Sequence, residues 1–257
     1  AVLKRGGLLL VAKFAIGAIL GILVGRIFGP AGILGISSMA IICAVTNSNG
    51  SVYYALMQTY GDDIDCACMP ILAINDGPFL TLVALGASGL ADIPIMSLVA
   101  ALVPIIAGMI LGNLDNKVTE FFGPVGDAII PFTGFSLGAG IDLANVLKGG
   151  VSGIVLGLIT IFIGGGFIYL CDHFIGRRPG YAAWAVATTA GNAVAVPAVI
   201  GTADPAWAEF VGTATVQVAA STVLSALLVP FIVSWWAKKF GCPKFPKEAK
   251  AEKASGK

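Results

Sequence analysis

The chain has 257 residues, of which 57% are hydrophobic and 11% are charged, and its mean hydropathy is +0.93. Soluble domains carry about 25% charged residues, so this composition excludes a soluble fold and predicts an integral membrane protein. The net charge of +1 leaves no basic excess, which argues against a nucleic-acid partner.

Apolar runs of about 20 residues, the length that crosses a bilayer as a helix, recur along the whole chain. The alternation of a membrane barrel is absent, so the predicted fold class is all-α. The runs predict eight transmembrane helices: Gly7–Phe28, Ala31–Tyr60, Ile64–Ala87, Ile93–Leu111, Ala128–Val146, Val151–Phe174, Tyr181–Gly201 and Phe210–Trp236.

Two of these runs are interrupted by polar or small residues at membrane depth. The second run contains Thr46–Ser51, and the seventh contains Thr188–Asn192 followed by Pro197. Backbone that leaves the helix inside a bilayer must be satisfied by protein or water, because lipid cannot do so. Ordinary kinks packed between helices are one explanation. Paired interruptions at matching positions of two halves are instead typical of the binding site of a secondary transporter.

The order of the helices predicts an inverted repeat. A polar loop at Asp115–Asp127 is predicted between two halves. Residues 91–238 hold five predicted helices with the interruption in the fourth, whereas residues 1–90 match only the last three helices of such a unit. The sequence therefore predicts a ten-helix, 5+5 parent whose first two helices are missing here. Such a chain would pack abnormally, form a homodimer over the exposed surface, or fail to transport.

The basic residues predict the orientation. If every run crosses once, the loop cations Lys4, Arg5, Lys117, Arg177 and Arg178 share one side, as does the Lys-rich segment 239–257, which is predicted to be a disordered tail. Basic loops are retained in the cytoplasm, so both ends of the chain are predicted to be cytoplasmic.

Ionisable residues within the membrane mark functional positions, because each costs about 2.5–3.5 kcal/mol to insert. Lys13 either binds a substrate carboxylate or snorkels to the nearby surface. Asp76 is the best candidate for a proton-carrying carboxylate, with a structural ion pair as the alternative. Asp142 either lines the cavity or caps a helix.

No sequence motif indicates an enzyme. The cysteines are scattered, Cys66 and Cys68 lack a nearby base, and no phosphate loop or zinc-ligand spacing is present. No cofactor and no metal site are predicted.

Several short motifs of this sequence recur together in one known family. They are Thr46-Asn47 with Gly50, Tyr54–Gly61, Gly77-Pro78, Leu111–Asp115, Phe121-Phe122, Ile130–Phe132, Leu137-Gly138 with Ile141–Leu143, and Ala190-Gly191 with Ala193, Ala195 and Pro197. Through them the sequence, from about Gly6 to Trp236, resembles the bacterial 2-keto-3-deoxygluconate permease family.

The resemblance implies a ten-helix inner-membrane symporter, related in fold to the bile-acid/sodium symporters, that takes up a sugar acid with protons. Family chains are longer at the N-terminus by about two helices. Lys13 falls where the family carries a basic residue, which favours a functional Lys13. The family's acid beside Gly77 aligns with Asn75, one position from Asp76, so Asn75 joins Asp76 and Asp142 as a proton-coupling candidate.

The sequence thus predicts a bacterial inner-membrane transporter that imports 2-dehydro-3-deoxygluconate or a similar sugar acid by proton symport. A sodium-coupled carrier of the same fold, with Thr46, Ser48 and Asn75 as ion ligands, and a passive channel are the alternatives. The predicted substrate-binding residues are Lys13, Thr46, Asn47, Ser48, Asn49, Gly50, Thr188, Thr189, Gly191 and Asn192.

Overall fold

The computed structural model describes the backbone of residues 1–139 and 143–246, and their side chains except for most of those between 126 and 149. Asp142 lies outside the described residues. In the described part the chain is helical, and its only β pairings are two isolated bridges. The helices are α1 Val2–Phe28, α2 Ser38–Thr46, α3 Gly50–Tyr60, α4 Asp63–Cys66, α5 Met69–Leu72, α6 Pro78–Ser88, α7 Ile95–Leu114, α8 Asn116–Ala139, α9 Leu143–Leu158, α10 Gly165–Phe174, α11 Tyr181–Val186, α12 Val196–Ala203 and α13 Ala208–Phe240.

Four segments of the described chain are long and apolar enough to cross a membrane: Val2–Phe28, Ile95–Leu114, Gly150–Phe174 and Pro205–Phe240. A fifth arises if Asp63–Asn75 and Pro78–Ser88, which meet at 52°, form one span. The first interrupted helix is not included in this count, because its two parts, α2 and α3, have only 9 and 11 residues and each is too short to cross a membrane alone. The predicted count of eight therefore stays a prediction.

Close helix contacts through glycine hold the core together. α1 packs along α2, where a Cβ on Gly21 would lie 2.7 Å from Cβ of Ile42. α9 packs along α13 in the same way, since Gly153 and Gly157 face Gln217 and Ser221. Small residues let helix backbones approach in a membrane, where no hydrophobic effect drives helices together.

Among the four long apolar segments, α7 has the least protein cover. None of its residues is buried, although it contains no charged side chain. An apolar helix without protein cover is compatible with a lipid-facing position.

One sequence prediction about local structure is wrong. The predicted loop Asp115–Asp127 is helical from Asn116, because α8 begins directly after α7 with Asp115 as the only residue between them. The first two residues of the predicted tail 239–257 belong to α13, and residues 247–257 lie outside the described residues, so its disorder stays a prediction. Beyond that helix, Cys242 is buried and the Phe245 ring lies 6.0 Å from the Tyr60 ring.

Candidate functional site

The first interruption separates α2 from α3 at Asn47–Asn49. The Asn47 side chain donates hydrogen bonds to the carbonyl oxygen of Cys43 at 2.9 Å and to Thr46 Oγ1 at 3.1 Å, which satisfies the end of α2. Asn49 caps α3 by accepting a 3.0 Å hydrogen bond from the Val52 amide. Asparagine suits both tasks because it carries a donor and an acceptor. The two helix ends that border this break are therefore satisfied by asparagine side chains.

The second interruption separates α11 from α12 and is stabilised by hydroxyl groups of α13. The Thr189 amide donates to Ser225 Oγ at 2.9 Å, and Thr189 Oγ1 lies 2.7 Å from Ser221 Oγ. Thr222 Oγ1 donates to the carbonyl oxygen of Ala190 at 3.1 Å. The polar face of α13 thus supplies the partners that an unwound backbone needs inside a membrane.

The two interruptions touch each other in the protein interior. The Asn49 amide donates a 2.9 Å hydrogen bond to Thr188 Oγ1. Thr189 Oγ1 donates a 3.2 Å hydrogen bond to the carbonyl oxygen of Ala44, in the last turns of α2. Segments 139 residues apart in the sequence are therefore joined where both helices unwind.

A third discontinuity, at Asn75–Gly77, packs against the first. The Asn75 side-chain Nδ2 donates to the carbonyl oxygen of Thr46, and the Gly77 backbone amide donates to Asn47 Oδ1 at 2.9 Å. Gly77 has φ of 127°, a conformation that only glycine adopts readily, and Pro78 begins α6 directly after it. The first break thus contacts both of the others in the interior of the described structure.

Lys13 is fully buried beside the second interruption. Its Nζ donates a 2.8 Å hydrogen bond to the carbonyl oxygen of Thr188, just beyond the end of α11. Snorkelling of Lys13 to the surface, one of the two sequence interpretations, is therefore wrong. A cation at the carboxyl end of a helix is favoured by the helix dipole. Among the described residues no salt bridge involves Lys13.

Asp76 lies beside the first turn of α3. Its Oδ2 is 3.6 Å from the position that a Cβ on Gly50 would occupy, and its Oδ1 is buried with no hydrogen-bond partner in the described structure. None of the described salt bridges includes Asp76, so the ion pair considered as its alternative role is not found there. The Asp76 carboxylate lies at the amino end of α3 and Lys13 lies at the carboxyl end of α11. The helix dipole favours a negative charge at the first position and a positive charge at the second.

Most of the predicted substrate-binding residues lie together in this centre. Seven of them are buried: Lys13, Thr46, Asn47, Ser48, Gly50, Thr188 and Thr189. Asn49 is partly exposed, whereas Gly191 and Asn192 are exposed on the far side of the second break. No cluster of three or more His, Cys, Asp or Glu side chains in the described part of the chain is placed to hold a metal ion.

Comparison with protein families assigns the chain. The family model described as 2-keto-3-deoxygluconate permease matches residues 1–242. The chain belongs to the 2-keto-3-deoxygluconate permease family. It is therefore a membrane transport protein and not an enzyme.

Curated permeases of this family are similar along most of the chain. The 2-keto-3-deoxygluconate permease 1 of Salmonella typhimurium is 47% identical over 237 residues, which are 92% of this chain and 74% of that protein. The 2-keto-3-deoxygluconate permeases of Pectobacterium carotovorum and Bacillus subtilis are 37% and 35% identical, over 93% and 92% of this chain and 76% and 73% of their own lengths. No solved structure matches the chain.

One charged cluster of the permease is not predicted from the sequence. The fully buried Asp65 carboxylate accepts hydrogen bonds from Arg178 Nη2 at 2.6 Å, Tyr181 Oη at 2.5 Å and Arg5 Nη1 at 3.2 Å. Arg5 also bonds both carboxylate oxygens of Asp62 at 2.8 Å. The acidic run Asp62-Asp63-Ile64-Asp65 was the available signal, since three carboxylates at a helix start require partners.

The charges of this cluster shift the ionisation of its loop residues. Burial opposes ionisation of Asp62, but its hydrogen bonds from Arg5 and from the Asp65 amide outweigh that effect and hold its pKa below the usual value. Burial also lowers the pKa of Arg178, yet the nearby carboxylates of Asp172 and Asp65 more than compensate and raise it overall. Both residues are therefore charged at neutral pH.

Proposed function

We propose that this permease imports 2-keto-3-deoxygluconate, or a closely similar sugar acid, by secondary active transport coupled to protons. The observation that carries the proposal is the meeting of the two interrupted helices beside buried Lys13. The names of the relatives supply the substrate class. A buried cation without a carboxylate partner in the described structure is suited to receive the carboxylate of such a substrate.

The substrate would lie between the two interruptions. Its carboxylate would replace the Thr188 carbonyl as the acceptor for Lys13 Nζ. Its hydroxyl groups would form hydrogen bonds with the amide and hydroxyl side chains of the two interruptions. The predicted partners for those hydroxyls are Asn47, Asn49, Thr188, Thr189 and Asn192. Because most of these residues are buried, the described structure is closed at this site, and binding requires the breaks to separate.

Asp76 is the proposed proton carrier. Its partnerless Oδ1 is a buried acceptor that protonation would neutralise, and the amino end of α3 would favour the charged form once the proton leaves. Asn75, whose Oδ1 is also buried without a partner in the described part, lies next to it. Asp142, the reserve candidate, stays a sequence-based proposal.

A sodium-coupled carrier is the second candidate, because three of the buried oxygens without partners in the described structure belong to the breaks at residues 47–49 and 75–77. They are Ser48 Oγ, Asn75 Oδ1 and Asp76 Oδ1. Hard cations prefer oxygen ligands such as these. The passive channel lacks a comparable supporting observation.

The deciding experiment is uptake of 2-keto-3-deoxygluconate into proteoliposomes. With an imposed inward proton gradient and no sodium, the proposal expects accumulation above the external concentration, and Asp76→Asn should abolish accumulation while sparing substrate exchange. Accumulation only with a sodium gradient would select the second candidate. Equilibration without accumulation under both gradients would select a channel, and no substrate flux at all would reject the proposal.

The topology is proposed on the same basis. The two interrupted helices would be counterparts in a 5+5 inverted repeat, the eight predicted spans would lie in the bacterial inner membrane, and both ends would be cytoplasmic. Lys4→Cys, at an exposed position at the start of α1, gives the test. Modification of that thiol by an impermeant maleimide in intact cells would show that the start of α1 is outside the cytoplasm and that the proposed orientation is wrong. The predicted homodimer stays a prediction, and the molecular mass of the detergent-solubilised protein tests it.

A further inference from the structure

Asp65 connects α3, which begins at the first interruption, to α11, which ends at the second. Its carboxylate accepts from Tyr181, the first residue of α11, and its carbonyl oxygen accepts a 3.0 Å hydrogen bond from Tyr53 Oη of α3. Tyr53, like Asp65, is fully buried. Arg5 of α1, the helix that carries Lys13, bonds the same carboxylate. Asp65 therefore joins three helices that reach the candidate binding site, α1 and α11 through its carboxylate and α3 through its backbone carbonyl.

Asp172 is the second carboxylate near Arg178, but unlike Asp65 it accepts no side-chain hydrogen bond from it. Arg178 Nε lies 3.6 Å from Asp172 Oδ1, too far for a hydrogen bond, and both Asp172 oxygens are buried without hydrogen-bond partners in the described structure. Arg178 Nη1 is likewise buried and without a partner there. A guanidinium carries five donors, so Arg178 has the capacity to bond Asp172 once it leaves Asp65.

The arrangement has the properties of a two-state contact. Arg178 belongs to the loop between α10 and α11, and the preceding Arg177 has φ of 54°, a left-handed conformation unusual for arginine. In one state Arg178 bonds Asp65 and holds α11 against α3. In the other it bonds Asp172, which belongs to α10, and α11 is released. Packed interfaces change between discrete arrangements of this kind.

The residues that bond the Asp65 carboxylate also line an open cavity. A cavity of about 370 Å³ is lined by Arg5, Asp62, Arg178 and Tyr181 together with residues that follow α13. A solute that leaves the interruptions along α3 and α11 would enter this cavity after passing Asp65. We call the end of the protein that carries this cavity the Asp65 end.

We propose that Asp65 is a positioning residue that holds the permease closed at the Asp65 end, and that Arg178 exchanges Asp65 for Asp172 when this end opens. The inference rests on the proposed function, since it assumes that solute reaches the interruptions. A ligand-free protein should populate the open state more when the Asp65 contact is weakened, and less when the alternative partner is removed. Opposite effects of two neighbouring carboxylates are not expected from residues that merely stabilise the fold.

The test measures access to the interruption from the Asp65 end. Ser48→Cys supplies the thiol, in a background in which the five native cysteines are replaced and which must still transport. The rate of labelling by an impermeant maleimide is measured without substrate. Lys4→Cys in the same background reports which vesicle side is the Asp65 end and provides an exposed reference thiol.

We expect Asp65→Asn to raise the Ser48→Cys labelling rate at least about fivefold relative to the Lys4→Cys rate, and Asp172→Asn to lower it. A rise of about twofold is expected for Tyr181→Phe, which removes one hydrogen bond and keeps the charges. If Asp65→Asn does not fold, the labelling rates of Asp172→Asn and Tyr181→Phe test the proposal. Changes in the same direction for Asp65 and Asp172, or unchanged rates in all variants that fold, would overturn the proposal.

The same thiol separates this inference from the proposed function. In the protein with an intact Asp65 contact, added 2-keto-3-deoxygluconate should slow labelling of Ser48→Cys. Absence of that protection would reject the proposed binding site, whereas the Asp65 contact is judged only from the rates without substrate.

Discussion

Gly17 lies against the backbone of Thr46 so closely that a Cβ at this position would be 2.4 Å from the Thr46 nitrogen. The contact joins α1, one turn after Lys13, to the end of α2 where the first interruption begins. No real Cβ approaches a backbone nitrogen this closely, so any larger residue must move one of the two helices. The position of Lys13 relative to the interruption thus depends on a glycine.

Gly17→Ala should therefore reduce transport strongly, by about tenfold or more, and lower the melting temperature, because overpacking costs about 1–3 kcal/mol. Initial uptake rate and melting temperature in detergent are the measurements. Gly7→Ala is the matched control on the same helix, since nothing lies within 4 Å of a Cβ there. Equal activity of the two variants would show that the close contact does not position the site.

Removing the charge of Lys13 should weaken substrate binding. Lys13→Met keeps the length of the side chain but loses the donor, and charge-assisted hydrogen bonds contribute about 1.5–3 kcal/mol, equivalent to roughly 10- to 150-fold in affinity. The measurement is the Kd for 2-keto-3-deoxygluconate by isothermal titration. Lys4→Met, an exposed residue of α1, is the control and should bind normally. An unchanged Kd in Lys13→Met would remove Lys13 from the site.

Substitutions of Asn47 and Asn192, one from each interruption, should separate binding from stability. Asn47→Ala loses hydrogen bonds to α2, Thr81 and Gly77, so it should lower both substrate affinity and the free energy of unfolding, the latter by about 1–3 kcal/mol. Asn192 is exposed, so Asn192→Ala should lower affinity with little loss of stability. Wild-type affinity in both variants would place the substrate elsewhere. An effect of Asn47 alone would restrict the site to the buried side.

The interruptions were predictable and the Asp65 contact was not, for a physical reason. Polar residues such as Asn47 and Thr188 within apolar runs violate the demands of the bilayer, so a single sequence reveals them. The acidic run around Asp65, at the start of the third predicted span, indicates only that these carboxylates need partners and not which residues supply them. Its partner Arg178 is 113 positions away, and only the packing of α1, α3 and α11 brings them together. Long-range ion pairs of this kind leave no periodic signal.

Acid should weaken the Asp62 contact with Arg5. The pKa of Asp62 is lowered in the folded protein, so its ion pair contributes stability above the unfolded value of about 3.9, and this contribution is lost as the pH falls through the lower folded value. Asp62→Asn removes the charge but keeps a good helix N-cap for α4. The Asp62 side chain is 35% exposed, so a difference of only about 0.2–1 kcal/mol is expected.

The measurement is the melting temperature of the two proteins in detergent from pH 7 to pH 3. The wild type should be slightly more stable at pH 7, and the gap should close on acidification. It should also shrink with added salt, which screens a partly exposed pair. A gap that is constant over the whole range would show that the Asp62 charge contributes nothing to folding.

Gly165 and Gly166 should respond very differently to alanine. A Cβ on Gly165 would lie 2.6 Å from Cβ of Ala187 and 3.0 Å from the Trp184 ring, whereas one on Gly166 would meet nothing within 4 Å. Ala187 immediately precedes Thr188, whose carbonyl binds Lys13, so displacement of α11 by Gly165→Ala moves that acceptor. Uptake should fall at least tenfold in Gly165→Ala and stay normal in Gly166→Ala. Alanine at both positions favours the helix equally, so similar uptake by the two variants would mean that the second interruption tolerates movement and does not fix the binding geometry.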